Sequence, residues 1–77
     1  MNPVHRDIFK AIHEGRWLSI AYRNQKDQVT KYWIGIRNLN IAKRTLQVEG
    51  LHLGKYSLET YDWIYIDSIL SSQVIEG

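Results

Sequence analysis

The chain begins on a hydrophobic period near 3.6 and changes to a period of two after residue 16. Val4, Ile8, Ala11 and Ile12 recur at helical spacing and make one apolar stripe, with His5, Arg6, Lys10, His13 and Glu14 around the rest of the circumference. Asn2 suits an N-cap. Pro3 suits the first helical position, where its missing N–H is harmless, and Gly15 suits the C′ stop. The pattern predicts a helix from about Pro3 to Glu14.

Alternation then takes over. Trp17 to Tyr22 places Leu18, Ile20 and Tyr22 on one face, and the polar run Asn24 to Asp27 reads as a turn. A second strand runs from Gln28 to Arg37, with Tyr32, Ile34 and Ile36 opposite Trp33, and Asn38-Leu39-Asn40 ends or bends it. After a turn at Ala42-Lys43-Arg44, a third strand from Thr45 points Leu46 and Val48 inward. Leu51 and Leu53 fall in the opposite phase, which predicts a glycine bulge at Gly50. Gly54-Lys55 turns into a strand from Tyr56 to Ile66, Asp67-Ser68 marks a short helical turn, and Leu70 to Ile75 makes the last strand. One helix followed by about five short antiparallel strands, without a long crossover, predicts a mainly β fold: a small SH3-like or Sm-like antiparallel barrel with an N-terminal helix.

Both faces of these strands carry large side chains. In Tyr61 to Ile66, Ile64 and Ile66 share one side while Tyr61, Trp63 and Tyr65 share the other. One face must form the core. The other would present Trp33, Tyr61, Trp63 and Tyr65 to a neighbouring domain, a partner or a ligand, since buried interface cores are enriched in such residues. Coverage by the helix or by other strands would instead make the tryptophans core.

Composition narrows the class. Seventy-seven residues make one domain, 1–77, and the absence of cysteine excludes disulfides and thiolate metal sites. No apolar run approaches a membrane span, and the first residues lack a signal peptide's apolar stretch. The expectation is a soluble cytoplasmic domain, part of a larger protein.

Charge is distributed unevenly. Residues 1–56 hold all ten Lys and Arg against four acids, a net of +6, whereas residues 57–77 hold four acids and no base, a net of −4. Arg16, Arg23, Lys31, Arg37, Lys43 and Arg44 are therefore candidates for binding an anion or nucleic acid. The plainer alternative is a solvated face with the acidic segment folded back across it.

Reaction chemistry is not indicated. The five glycines are scattered, so there is no phosphate loop, and no serine sits in a nucleophile elbow. His5 and His13 stand eight apart, roughly 80° out of alignment on a helix, and make poor co-ligands. Asp62 and Asp67 would point to opposite faces of a strand, and His52 reads as a rim residue. No metal, cofactor or enzymatic activity is expected in these residues.

The run Ile8 to Arg23 resembles the opening of a WYL domain, in which a helix ending "Ala-Ile-x-x-Gly-(basic)" leads into a strand "(apolar)-x-(apolar)-x-Tyr". The order that follows is also similar: polar turn, a strand with Thr30-Lys31, an irregular connection, and a close at Ile66-Asp67-Ser68-Ile69 like the family's "Leu-Asp-Arg-Ile". At the signature Trp-Tyr-Leu this chain has Arg44-Thr45-Leu46, and Ser68 and Asp62 stand where the family places arginines for anionic ligands. The resemblance implies the barrel with an N-terminal helix. It also implies a ligand-sensing or nucleic-acid-binding module attached to transcription regulators, CRISPR-associated proteins or helicase-like proteins. Two functions remain open: binding of single-stranded nucleic acid or a nucleotide, with Arg and Lys on phosphates and an aromatic ring on a base, or a protein-interaction or homo-oligomerisation module using the aromatic face.

Overall fold

A computed structural model describes residues 3–76, with the backbone alone at Asp62 and Trp63. Helix α1 spans Pro3–Glu14, followed by β1 (Leu18–Arg23), β2 (Val29–Asn40), β3 (Thr45–His52), β4 (Ser57–Tyr65), a 3-10 turn (Ile66–Ser68) and β5 (Ile69–Val74). The expected N-cap at Asn2 lies outside the described residues. At the other end of α1, Gly15 takes φ +65, and its N–H and that of Arg16 donate to the carbonyls of Ile12 and Ala11. That paired capping satisfies carbonyls the helix leaves open and is why the chain stops at a glycine.

The strands form one antiparallel sheet in the order β4-β3-β2-β1-β5. β1 to β4 meander and β5 returns beside β1, which gives the mainly β, barrel-like class expected. The sheet does not close, however: β4 and β5 are its two edges, joined in sequence by the 3-10 turn. On the inner face Leu18, Ile20, Ile34, Leu46, Val48, Ile64, Ile66 and Ile69 bury against Val4, Ile8 and Ala11 of α1. Tyr22, Tyr32, Ile36 and Tyr61 pack partly buried against this core.

Three expectations need correction. Ile12 is 43% exposed, because the buried line of α1 is narrow and Ile12 lies about 40° beyond Ile8 on the side of exposed Phe9. Gly50 holds regular register with Ile34 and Glu59, so it keeps the inward phase, and Leu51 is outward without any bulge there. A Cβ at Gly50 would meet Ile34 at 3.4 Å and the Tyr61 ring at 3.5 Å, so the glycine makes room for that ring. The register shifts fall elsewhere. Between the pairs Leu46–Ile64 and Val48–Tyr61, β4 spends two residues, 62 and 63, against one of β3. This bulge reverses the phase of β4, so Tyr61 shares the inner face with Ile64 and not the outer face with Tyr65.

Candidate functional site

The outer face of β2 carries the residues of interest. Strand parity puts Val29, Lys31, Trp33 and Gly35 on that face, opposite Tyr32, Ile34 and Ile36. A register shift after Ile36 makes Arg37 the extra residue, and its guanidinium turns to Glu49 at 3.1 Å, the direct partner of Gly35. Trp33, 43% exposed, thus stands between Lys31 and Arg37 on one surface. Six residues of extended chain separate the two cations, roughly 20 Å.

Cross-strand pairing extends this surface in both directions. Trp33 pairs with Leu51, and Leu51 with Leu58, so an apolar row runs from β2 to the edge strand β4, where Leu58 is 61% exposed. On the other side Trp33 pairs with Ser19, and Ser19 with Gln73 of β5. An open groove of about 640 Å³ follows that polar side towards Lys10 and Glu76 and passes Asp7. Two carboxylates and one lysine line it, with Lys10 paired to Glu76 at 3.3 Å. Trp17 completes the face: its indole lies over Gly35, where a Cβ would meet ring atoms at 3.0–3.2 Å.

The six candidate cations do not gather in one place. Lys31 and Arg37 flank Trp33. Arg16 pairs with Glu14 at 3.2 Å beside Trp17, and Arg23 pairs with Asp27 at 3.2 Å at the β1–β2 turn. Lys43 and Arg44 sit in the β2–β3 turn at the opposite end of the sheet, where Arg44 reaches Asp67 at 2.7 Å. Among the described residues, Arg44–Asp67 and Lys10–Glu76 are the contacts through which the acidic segment neutralises the basic one, while Arg16, Arg23 and Arg37 use acids from within residues 1–56. All five pairs are exposed at one or both ends, where such pairs contribute about 0–1 kcal/mol and exchange readily for a competing anion. Lys31 and Lys43 make no ion pair among the described residues.

The aromatic candidates divide as well. Trp33 is on the outer face, and Tyr65 is 44% exposed at the end of β4. The side chain of Trp63 lies outside the described residues. Tyr61 belongs to an inner aromatic cluster, edge-to-face with Tyr32 at 5.5 Å, and Tyr32 is likewise edge-to-face with Tyr22 at 6.5 Å and His52 at 5.1 Å. The Tyr61 hydroxyl donates to Glu59, which also accepts from Ser57 at 3.2 Å. Burial and this hydrogen bond push the Tyr61 phenol up from its ordinary range, and the donated bond holds the Glu59 carboxyl below its own.

Sequence reasoning missed Trp17, Leu51 and Leu58 as parts of the outer face. The signal was present in the opposite phase of Leu51 and Leu53, which a bulge at Gly50 had explained away. Among the described residues no group of His, Asp and Glu could hold a metal ion, and no helix is long and apolar enough to cross a membrane. No protein-family model and no curated protein matches this chain.

Proposed function

We propose that this domain is a non-catalytic module that binds single-stranded nucleic acid along the outer face of β2. The observation that carries the reading is the placement of exposed Trp33 between Lys31 and Arg37 on a single face. A base stacks on the Trp33 indole, worth roughly 1–3 kcal/mol, and phosphates on either side meet the two cations. Arg37 exchanges its exposed Glu49 contact for a phosphate at little cost. Binding of this kind tolerates any sequence, because every base has a face and no base edge is read. The resemblance to WYL domains, among which nucleic-acid-binding modules occur, points the same way. The domain serves a larger regulatory or nucleic-acid-processing protein in the cytoplasm.

A second reading rests on a different observation. Leu51 and Leu58 continue the row from Trp33, and an apolar row of this kind suits a protein partner or a second copy. Titrating single-stranded oligonucleotides at about 50 mM salt separates the two, because counterion release makes low salt favour the electrostatic contacts. Nucleic-acid binding gives saturable tryptophan quenching. Absence of quenching up to high micromolar oligonucleotide, together with concentration-dependent sedimentation of the domain, supports the protein interface instead.

A further inference from the structure

We infer that a cleft on the inner face of the sheet is a second site, one that takes a small planar aromatic carboxylate. Between β1, β2 and the end of β4, the inner face opens into a cleft of about 310 Å³ lined by Ile20, Tyr22, Tyr32, Ile34, Val48, Tyr61, Ile64 and Tyr65, with Arg23, Asn24, Gln25 and Ser68 completing the lining. That volume is at the lower end of small-molecule sites.

The lining is ordered by depth. Ile20, Ile34, Val48 and Ile64 are buried and form an aliphatic floor, whereas Arg23, exposed at the end of β1, and Gln25 of the β1–β2 turn form the rim. Tyrosines make the walls. Their rings meet edge to face rather than stacked, which leaves ring faces for a guest. A flat aromatic ring is the shape and polarity such a space accepts.

The rim determines the other end of the ligand. Among the described residues no acid lines the cleft, and Glu59 is held by the Tyr61 hydroxyl behind its wall. The Asn24 side-chain oxygen already accepts from the N–H groups of Lys26 and Gln28, so its amide nitrogen is the group left to donate. The Tyr22 oxygen already accepts from the Tyr65 N–H at 3.0 Å, which leaves its own hydroxyl hydrogen. The Arg23 guanidinium is engaged by Asp27 at 3.2 Å, an exposed pair that exchanges readily for a competing anion. With the Ser68 hydroxyl, the polar side therefore offers donors and an exchangeable cation, the complement of a carboxylate. A nucleotide fits less well. Its ribose hydroxyls would be pressed against the aliphatic floor without partners, at the penalty of any unsatisfied polar group.

The test uses the intact chain and 2-naphthoate as the probe, followed through the methyl resonances of Ile20, Ile34, Val48 and Ile64, with the Trp33 indole N–H reporting on the outer face. The expected result is a saturable shift at the floor methyls and none at Trp33. Arg23→Gln, a change at an exposed strand end, weakens binding about tenfold, and so does replacing the probe by the uncharged 2-naphthalenemethanol, as expected for loss of a charge-assisted hydrogen bond. Shifts confined to Trp33, no saturable shift at all, or equal affinity for the charged and uncharged probes overturns the inference. So does binding of adenosine monophosphate at the floor methyls without binding of 2-naphthoate. None of these results touches the outer face, whose test reads Trp33 with an oligonucleotide.

Discussion

The Tyr22 hydroxyl accepts a hydrogen bond from the backbone N–H of Tyr65 at 3.0 Å, joining β1 to the end of β4 on the side where the sheet stays open. A side chain here does part of what a strand ladder does elsewhere in the sheet. Its position follows from Tyr22 ending the inward series Leu18, Ile20, Tyr22 of β1.

Tyr22→Phe keeps the ring and its contact with Tyr32 while removing that acceptor. The expected loss is about 1 kcal/mol of stability, or roughly 4–8 °C in melting temperature for a domain of this size. Thermal unfolding followed by circular dichroism measures it. An unchanged melting temperature would show that the bond contributes nothing to holding the open side.

Ile34 is 1% exposed in the middle strand, between Leu18 of β1 and Gly50 of β3. Ile34→Ala should cost roughly 2–5 kcal/mol, a large part of the stability of a small domain. Urea unfolding provides the number, and a loss below about 1 kcal/mol would mean the core is centred elsewhere.

The Tyr61–Glu59 hydrogen bond sets a pH dependence with two limbs. Glu59 titrates below its ordinary range in the folded chain, so its contribution is complete above that range and is lost as pH falls through the folded value. Tyr61 titrates above its ordinary value of 10.0, so the folded form is favoured below that value and stability declines as pH rises past it. Stability should therefore be level near neutrality and fall in both acid and alkali. Glu59→Gln should flatten the acid limb, and Tyr61→Phe should remove the alkaline limb and reduce the acid one. Chemical denaturation between about pH 3 and 11 tests the signs, since it brackets both ordinary values. An acid limb unchanged in Glu59→Gln would assign it to other carboxylates.

Much of this architecture can be read from the residues in order. The helix needed only a 3.6-residue stripe and Gly15, and the inward sets of β1 and β2 needed only strict alternation, because each is decided within its own element. What the sequence hid is relational. The β4 bulge at residues 62 and 63 moves Tyr61 from the outer face to the core, and nothing local marks it: no glycine stands there. Room for the displaced ring comes from Gly50, one strand away. Leu58 gains meaning only from its register with Leu51 and Trp33. The candidate site was half legible for the same reason. Lys31 and Trp33 lie two apart on one strand and must share a face, whereas Lys43 and Arg44 follow that strand in sequence but sit in the β2–β3 turn beyond it, where Arg44 turns to Asp67.

Trp17 covers Gly35 on the outer face, so any side chain at residue 35 must displace the indole. Gly35→Val should shift the Trp17 indole N–H resonance and lower the affinity of the outer face for oligonucleotide, while leaving the inner-face methyls in place. Overpacking of this kind costs typically about 1–3 kcal/mol, which a folded domain can survive. An unshifted Trp17 resonance would show that the ring has another resting place.

The binding surface on β2 is tested most directly by the salt dependence of single-stranded oligonucleotide affinity in wild type, in Lys31→Glu/Arg37→Glu and in Trp33→Ala. Contact of Lys31 and Arg37 with about two phosphates gives the wild type a slope of log affinity against log salt of roughly −1.4. The charge reversal should weaken binding to every sequence alike and flatten that slope, whereas Trp33→Ala should lower affinity by a similar factor at each salt concentration and leave the slope unchanged. A wild-type slope near zero, or a slope that the charge reversal leaves intact, would contradict the placement of nucleic acid on this face.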